Sequence, residues 1–179
     1  MRPTLFVLAF ALALAGAALP AVARGARDAP QSRLRAQTLI AIVNRSRPET
    51  GLTRDQLVQI YRGEIRRWPT GRQLIQFALP PGSADARDEF IRQVLHMSPP
   101  DFEREWRAKR FRGETTLIPN PDLSRTEVMQ AVATQPHFIA VVELDWFRSI
   151  DARFTEDIKV LRIDGKAPDD ATYPLRVDP

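Results

Sequence analysis

The sequence predicts a three-layer α/β domain, a sheet covered by helices on both faces, and three observations carry that prediction. Compact apolar runs recur at Thr38–Val43, Leu74–Leu79, Phe138–Val142 and Ile158–Ile163, each too short for a helix. Between them lie segments with helical spacing that open on N-cap residues: Thr53, Ser83 or Asp85, Ser98 and Ser124. Strands interleaved in this way with helices of about ten to fifteen residues require helices on both sides of a sheet. No internal repeat or low-complexity tract competes with that layout.

The first 23 residues read as a signal peptide rather than as part of the fold. Arg2 is the positive end, Leu5 to Leu19 a short apolar core, and Ala21-Val22-Ala23 an A-x-A cleavage site. A retained signal anchor is the alternative. Residues 24 to 37 are polar, arginine-containing and aperiodic, as expected of a flexible leader, which leaves 38–179 as a single domain.

Within the domain, Thr38–Val43 ends at Asn44 as a buried strand, and Asn44 to Gly51 reads as a loop. Thr53 and Gln56 form a capping box, Leu57, Ile60 and Tyr61 share one helical face, and Gly63 is the expected left-handed stop. Trp68 to Gly71 is a turn into the strand Leu74–Leu79, closed by Pro80-Pro81-Gly82. Phe90, Ile91, Val94 and Leu95 give the next helix, from about Ala84 to His96, an apolar stripe. Ser98-Pro99-Pro100-Asp101 starts a helix whose inner side is Phe102, Trp106 and the stem of Lys109, ending at Phe111-Arg112-Gly113. Ser124 and Glu127 form a second capping box ahead of Val128, Ala131 and Val132. Pro136 stops that helix, Phe138–Val142 reads as a central strand, and the alternation in Ile158–Ile163 suits an edge or half-exposed strand.

Composition narrows the chemistry. The 179 residues contain no cysteine, which excludes thiolate metal sites, thiol catalysis and disulfides. The net charge of +4 in an exported chain directs attention to small anions, anionic envelope surfaces or acidic partners rather than nucleic acid. His96 and His137 are isolated from each other and from any nucleophile motif, and the carboxylates are scattered, so neither a catalytic group nor a metal site is expected. No cofactor is called for.

Anion binding has a specific candidate. Leu79-Pro80-Pro81-Gly82-Ser83-Ala84-Asp85-Ala86-Arg87 leads from a strand into a helix, where exposed amides and the helix dipole favour a tetrahedral oxyanion. Gly82 allows close backbone approach, Ser83 offers a hydroxyl, Ala84 an amide, and Arg87 a cation one turn in. Ser83 as a plain helix cap is the competing explanation. Two arginine clusters, Arg62/Arg66/Arg67/Arg72 and Arg104/Arg107/Lys109/Arg110/Arg112, lie near Trp68, Trp106 and Phe111 in sequence. They read either as solvated faces or as an aromatic-basic surface.

The segment from Leu52 to Trp68, with Tyr61-Arg62-Gly63-Glu64-Ile65 at its centre, resembles a segment of the phosphate-binding proteins that serve phosphate ABC transporters. The ending, Ile163 to Pro168 followed by Tyr173-Pro174-Leu175-Arg176, resembles the way such chains finish. The resemblance covers roughly Leu39 to Pro179 and implies one lobe of a type II periplasmic binding protein, located in the periplasm and not an enzyme. It also implies a phosphate or similar oxyanion ligand, bound weakly without the second lobe. In that family the strand-to-helix junction carries an arginine followed four residues later by Ser-Gly-Thr; here those positions are Leu79, Ser83, Ala84 and Asp85. Pro136-His137-Phe138-Ile139-Ala140-Val141 likewise stands where the family has Pro-Gly-x-Ile-Gly-Tyr. The alternative function is an interaction scaffold that has lost its ligand and docks an envelope membrane protein or a second copy of itself.

Overall fold

A computed structural model describes residues 37–71, 73–82, 84–115, 119 and 123–177. The chain divides into two units, Met1–Gln31 and Ser32–Pro179. The expected signal peptide 1–23 and nearly all of the expected leader lie outside the described residues.

The sheet is built around β1 (Gln37–Asn44) and β4 (Phe138–Glu143), antiparallel with Ala41 opposite Val141. β3 (Gln76–Ala78) lies parallel to β4, and β5 (Ile158–Val160) runs antiparallel to β1, giving the order β3-β4-β1-β5. β7 (Arg176–Val177) returns to the start of β1. Alternate residues of β1 enter two separate cores, which is why the run is apolar throughout rather than alternating. Leu39, Ala41 and Val43 face one layer of helices; Ile40 and Ile42 face the other. The first layer is α1 (Arg54–Tyr61), α2 (Ala84–Glu89) with the π-turn Phe90–Val94, and α3 (Pro99–Phe111). The second is α4 (Arg125–Thr134) and α5 (Leu144–Arg148). The predicted three-layer α/β class is the observed one.

Local chemistry sets the helix ends. Thr53 Oγ1 accepts from Gln56 N at 3.0 Å while Gln56 Oε1 accepts from Thr53 N at 2.9 Å. Gly63 stops α1 at φ 70, and a Cβ there would sit 2.8 Å from the Trp106 ring, so the position needs glycine twice over. Trp106 is thereby seated beside the end of α1, its Nε1–H donating to Tyr61 O at 3.1 Å. Burial pushes the Tyr61 hydroxyl above the ordinary phenol range; it donates to Ala78 O at 2.8 Å.

Two expectations change. Ile158–Ile163 is not one strand: Leu161 N donates to Ala41 O, whereas Arg162 N donates to Thr50 O. The chain therefore leaves the main sheet at Leu161, and β6 (Arg162–Ile163) pairs in parallel with β2 (Gly51–Leu52), inside the expected Asn44–Gly51 loop and beyond it. The helix carrying Phe90, Ile91, Val94 and Leu95 is not α throughout either. It widens into a π-turn with Leu95 N donating to Phe90 O at 3.2 Å, which turns both apolar pairs inward.

Candidate functional site

At the corner between β3 and α2, Pro80 and Pro81 are buried and Gly82 and Ala84 exposed. Gly82 has φ 106, a left-handed conformation that other residues adopt only under strain. Ala84 is the first residue of α2, so its amide and that of Asp85 precede any intrahelical partner. Ser83 itself lies outside the described residues. Asp85 is exposed and carries no ion pair among the described residues. Leu79 is 5% exposed and belongs to the core, so no cation reaches the corner from the end of β3.

Arg87 is placed differently from a simple swing toward the corner. It is half-buried, its Nε lies 3.4 Å from Asp88 Oδ1, and its side chain lines a cleft against α3. The cation over the corner comes instead from Arg125. A Cβ built on Gly82 would lie 2.5 Å from Arg125 Nε and 2.9 Å from its Cζ, so the guanidinium lies directly against the glycine. Arg125 Nη2 reaches Glu143 Oε2 at 3.1 Å, and its Cζ is 5.0 Å from the centroid of the Trp146 ring. With side-chain exposures of 37% and 20%, the pair is open to water on one side. One guanidinium in contact with one carboxylate leaves other N–H donors for a further anion.

Arg125 was not singled out from the sequence. One signal was present: it occupies the first turn of α4, directly after the Ser124 cap, where the helix dipole disfavours a cation. A cation at the wrong end of a helix calls for a partner elsewhere, and here that is Glu143 and Trp146.

The other sequence candidates divide. Trp68 and Trp106 are buried anchors, 2% and 6% exposed, while Phe111 is 94% exposed. Arg62 Nη2 donates to Leu95 O at 2.8 Å and Arg66 Nε to Gly63 O at 3.0 Å, so both brace the end of α1. Arg104 pairs with Asp101 at 2.7 Å, Lys109 with Glu105, and Arg112 with Glu114. His96 is exposed at φ 54 beside Arg54, and the His137 carbonyl accepts from Trp68 Nε1–H at 3.1 Å. Among the described residues, no group of three or more histidines and carboxylates is placed to hold a metal ion, and no helix is long and apolar enough to cross a membrane.

No protein-family model matches the chain, and no curated protein does. Solved structures do. An ABC-type phosphate transport receptor from Vibrio cholerae aligns with TM-score 0.57 and 20% identity, over 83% of this chain and 59% of that one. PstS from Borrelia burgdorferi aligns with TM-score 0.58 and 17% identity, over 81% and 56%. At these identities the likeness establishes the fold: that of phosphate transport receptors, over little more than half their length.

Proposed function

We propose that this chain is an exported, non-enzymatic, substrate-binding-protein-like module that takes phosphate or a similar oxyanion at the Gly82–Arg87 corner, in connection with phosphate ABC transport. Export rests on the expected signal peptide 1–23, and the periplasm is the compartment that follows from it. Gly82, Ser83 and Ala84 are the proposed ligand residues, with Arg125 as the cation nearest the glycine in the role expected of Arg87, which lines the α2–α3 cleft instead. The observation that carries the reading is the Arg125 guanidinium lying against Gly82, because it supplies from α4 the charge that Leu79 withholds. Backbone amides and a delocalised cation converging on one corner suit a tetrahedral anion. A corner open to water leaves these charge-assisted bonds screened, so binding is weak.

Thermal unfolding in phosphate tests this. At ten times its dissociation constant, phosphate adds about 1.4 kcal/mol to the folded form, a rise in melting temperature of roughly 3–5 °C. Ser83→Ala combined with Arg125→Met removes the rise. The scaffold alternative draws on the Arg125–Glu143 contact, in which a protein carboxylate already occupies part of the cation. Absence of a shift with any oxyanion, together with a stable dimer by light scattering, selects the scaffold.

A further inference from the structure

The structure contains a second concavity beside the corner, a cleft of about 410 Å³ between α2 and α3. Its floor is formed by Leu79, Ile91, Phe102 and Trp106, all less than 10% exposed yet each presenting an edge to the cleft. Its rim carries Arg87, Arg107 and Arg110 against a single carboxylate, Glu103. The volume lies within the range of small-molecule sites, about 300–1,000 Å³, and an apolar floor with a few converging polar groups is their usual form.

The rim arginines differ from their neighbours on α3. Arg104 and Lys109 each bind a carboxylate within one turn. Arg107 and Arg110, one turn apart, make no ion pair among the described residues, and Glu103 does not engage Arg107 four residues later. Arg87, among the described residues, holds only its sequence neighbour Asp88, at 3.4 Å. Among the described residues, three guanidiniums without strong carboxylate partners stand around an apolar floor and bring positive charge to a surface that water solvates poorly.

We infer that this cleft binds a small amphipathic anion: a flat apolar body seated on Trp106 and Phe102, with one phosphate or carboxylate head held by Arg107 and Arg110. Inorganic phosphate has no apolar body to cover that floor, so the cleft discriminates in favour of an organic ester or acid. The inference does not depend on the corner binding phosphate.

Phenyl phosphate is the probe, titrated into the full chain while the indole N–H resonances of Trp68, Trp106 and Trp146 are followed by NMR. The Trp106 resonance is expected to shift saturably, and Arg107→Gln with Arg110→Gln to weaken that response at least tenfold. The same double variant leaves any inorganic-phosphate stabilisation unchanged, whereas Arg125→Met removes that stabilisation and spares the Trp106 response. Three results overturn the inference: no Trp106 shift at 10 mM phenyl phosphate; an equal response to neutral benzyl alcohol; or saturable binding of an acidic aromatic peptide alone, which makes the cleft a protein-docking surface.

Discussion

Arg47 and Arg125 each hold one glutamate and lie over one tryptophan, yet their surroundings give them opposite properties. Arg47 grips Glu49 with two bonds of 2.6 and 2.8 Å, donates to Gln73 Oε1 at 3.1 Å and Thr70 O at 3.3 Å, and stacks 4.4 Å from the Trp68 centroid. Thr70 also donates to Glu49, and Lys159 to the Arg47 carbonyl. Side-chain exposures of 4% and 7% close that cluster to water. Arg125 has one contact to Glu143, a looser stack at 5.0 Å and an exposed glycine beneath it. Satisfied donors make a latch joining the β1 exit to the turn before β3. Arg125, with one ion pair among the described residues, keeps donors for the proposed ligand.

Breaking the latch has the largest expected effect. Arg47→Met strands Glu49 in the interior and costs about 3–5 kcal/mol in chemical denaturation, while Arg47→Met with Glu49→Leu recovers most of it. The latch also confers an acid limit. Burial raises the Glu49 carboxyl, but bonds from Arg47 and Thr70 outweigh it and hold the group below the ordinary value of 4.5. A carboxyl with a depressed folded value stabilises the fold above pH 4.5 and loses that contribution as the pH falls through the folded value. Glu49→Gln flattens that part of the acid unfolding curve.

Gly82→Ala tests the corner from the backbone side. The left-handed φ costs about 1–3 kcal/mol, and the new Cβ displaces Arg125, so phosphate stabilisation disappears as well. Glu143→Gln sharpens the contrast in the other direction. Releasing Arg125 from its carboxylate tightens phosphate by roughly three- to tenfold, or about 0.7–1.4 kcal/mol, measured by the midpoint of the thermal-shift titration. The smallest effect falls on stability at the same arginine: Arg125→Met changes the unfolding free energy by less than about 1 kcal/mol, because its ion pair is half-exposed.

The fold is legible in the sequence wherever local chemistry decides the outcome. Thr53/Gln56 and Ser124/Glu127 close the two capping boxes they announce, Ser98 Oγ accepts from Asp101 N at 3.2 Å, and the apolar runs at β1 and β4 become the sheet centre. What escapes is settled by tertiary partners. β2, β6 and β7 are two residues each, too short for any period to show, and exist because neighbouring strands offer donors and acceptors. The π-turn at Phe90 appears as an ordinary stripe because π and α windings share most of their apolar spacing. At the corner, Gly82 and Ala84 are reachable by strand-to-helix reasoning, since the signal is local, whereas Arg87 turns toward α3, which its position one turn into the helix does not reveal. Arg125 was not, because its contact with Gly82 spans the fold and a single arginine after a cap carries little information.

Whether Arg125 and the Gly82 corner together hold an oxyanion is decided by a phosphate titration of the full chain followed by amide NMR. Saturable shifts of the Gly82 and Ala84 amides are expected, and they vanish in Arg125→Met while the fold persists. Unmoved corner amides at tens of millimolar phosphate, or shifts unchanged by Arg125→Met, would contradict it.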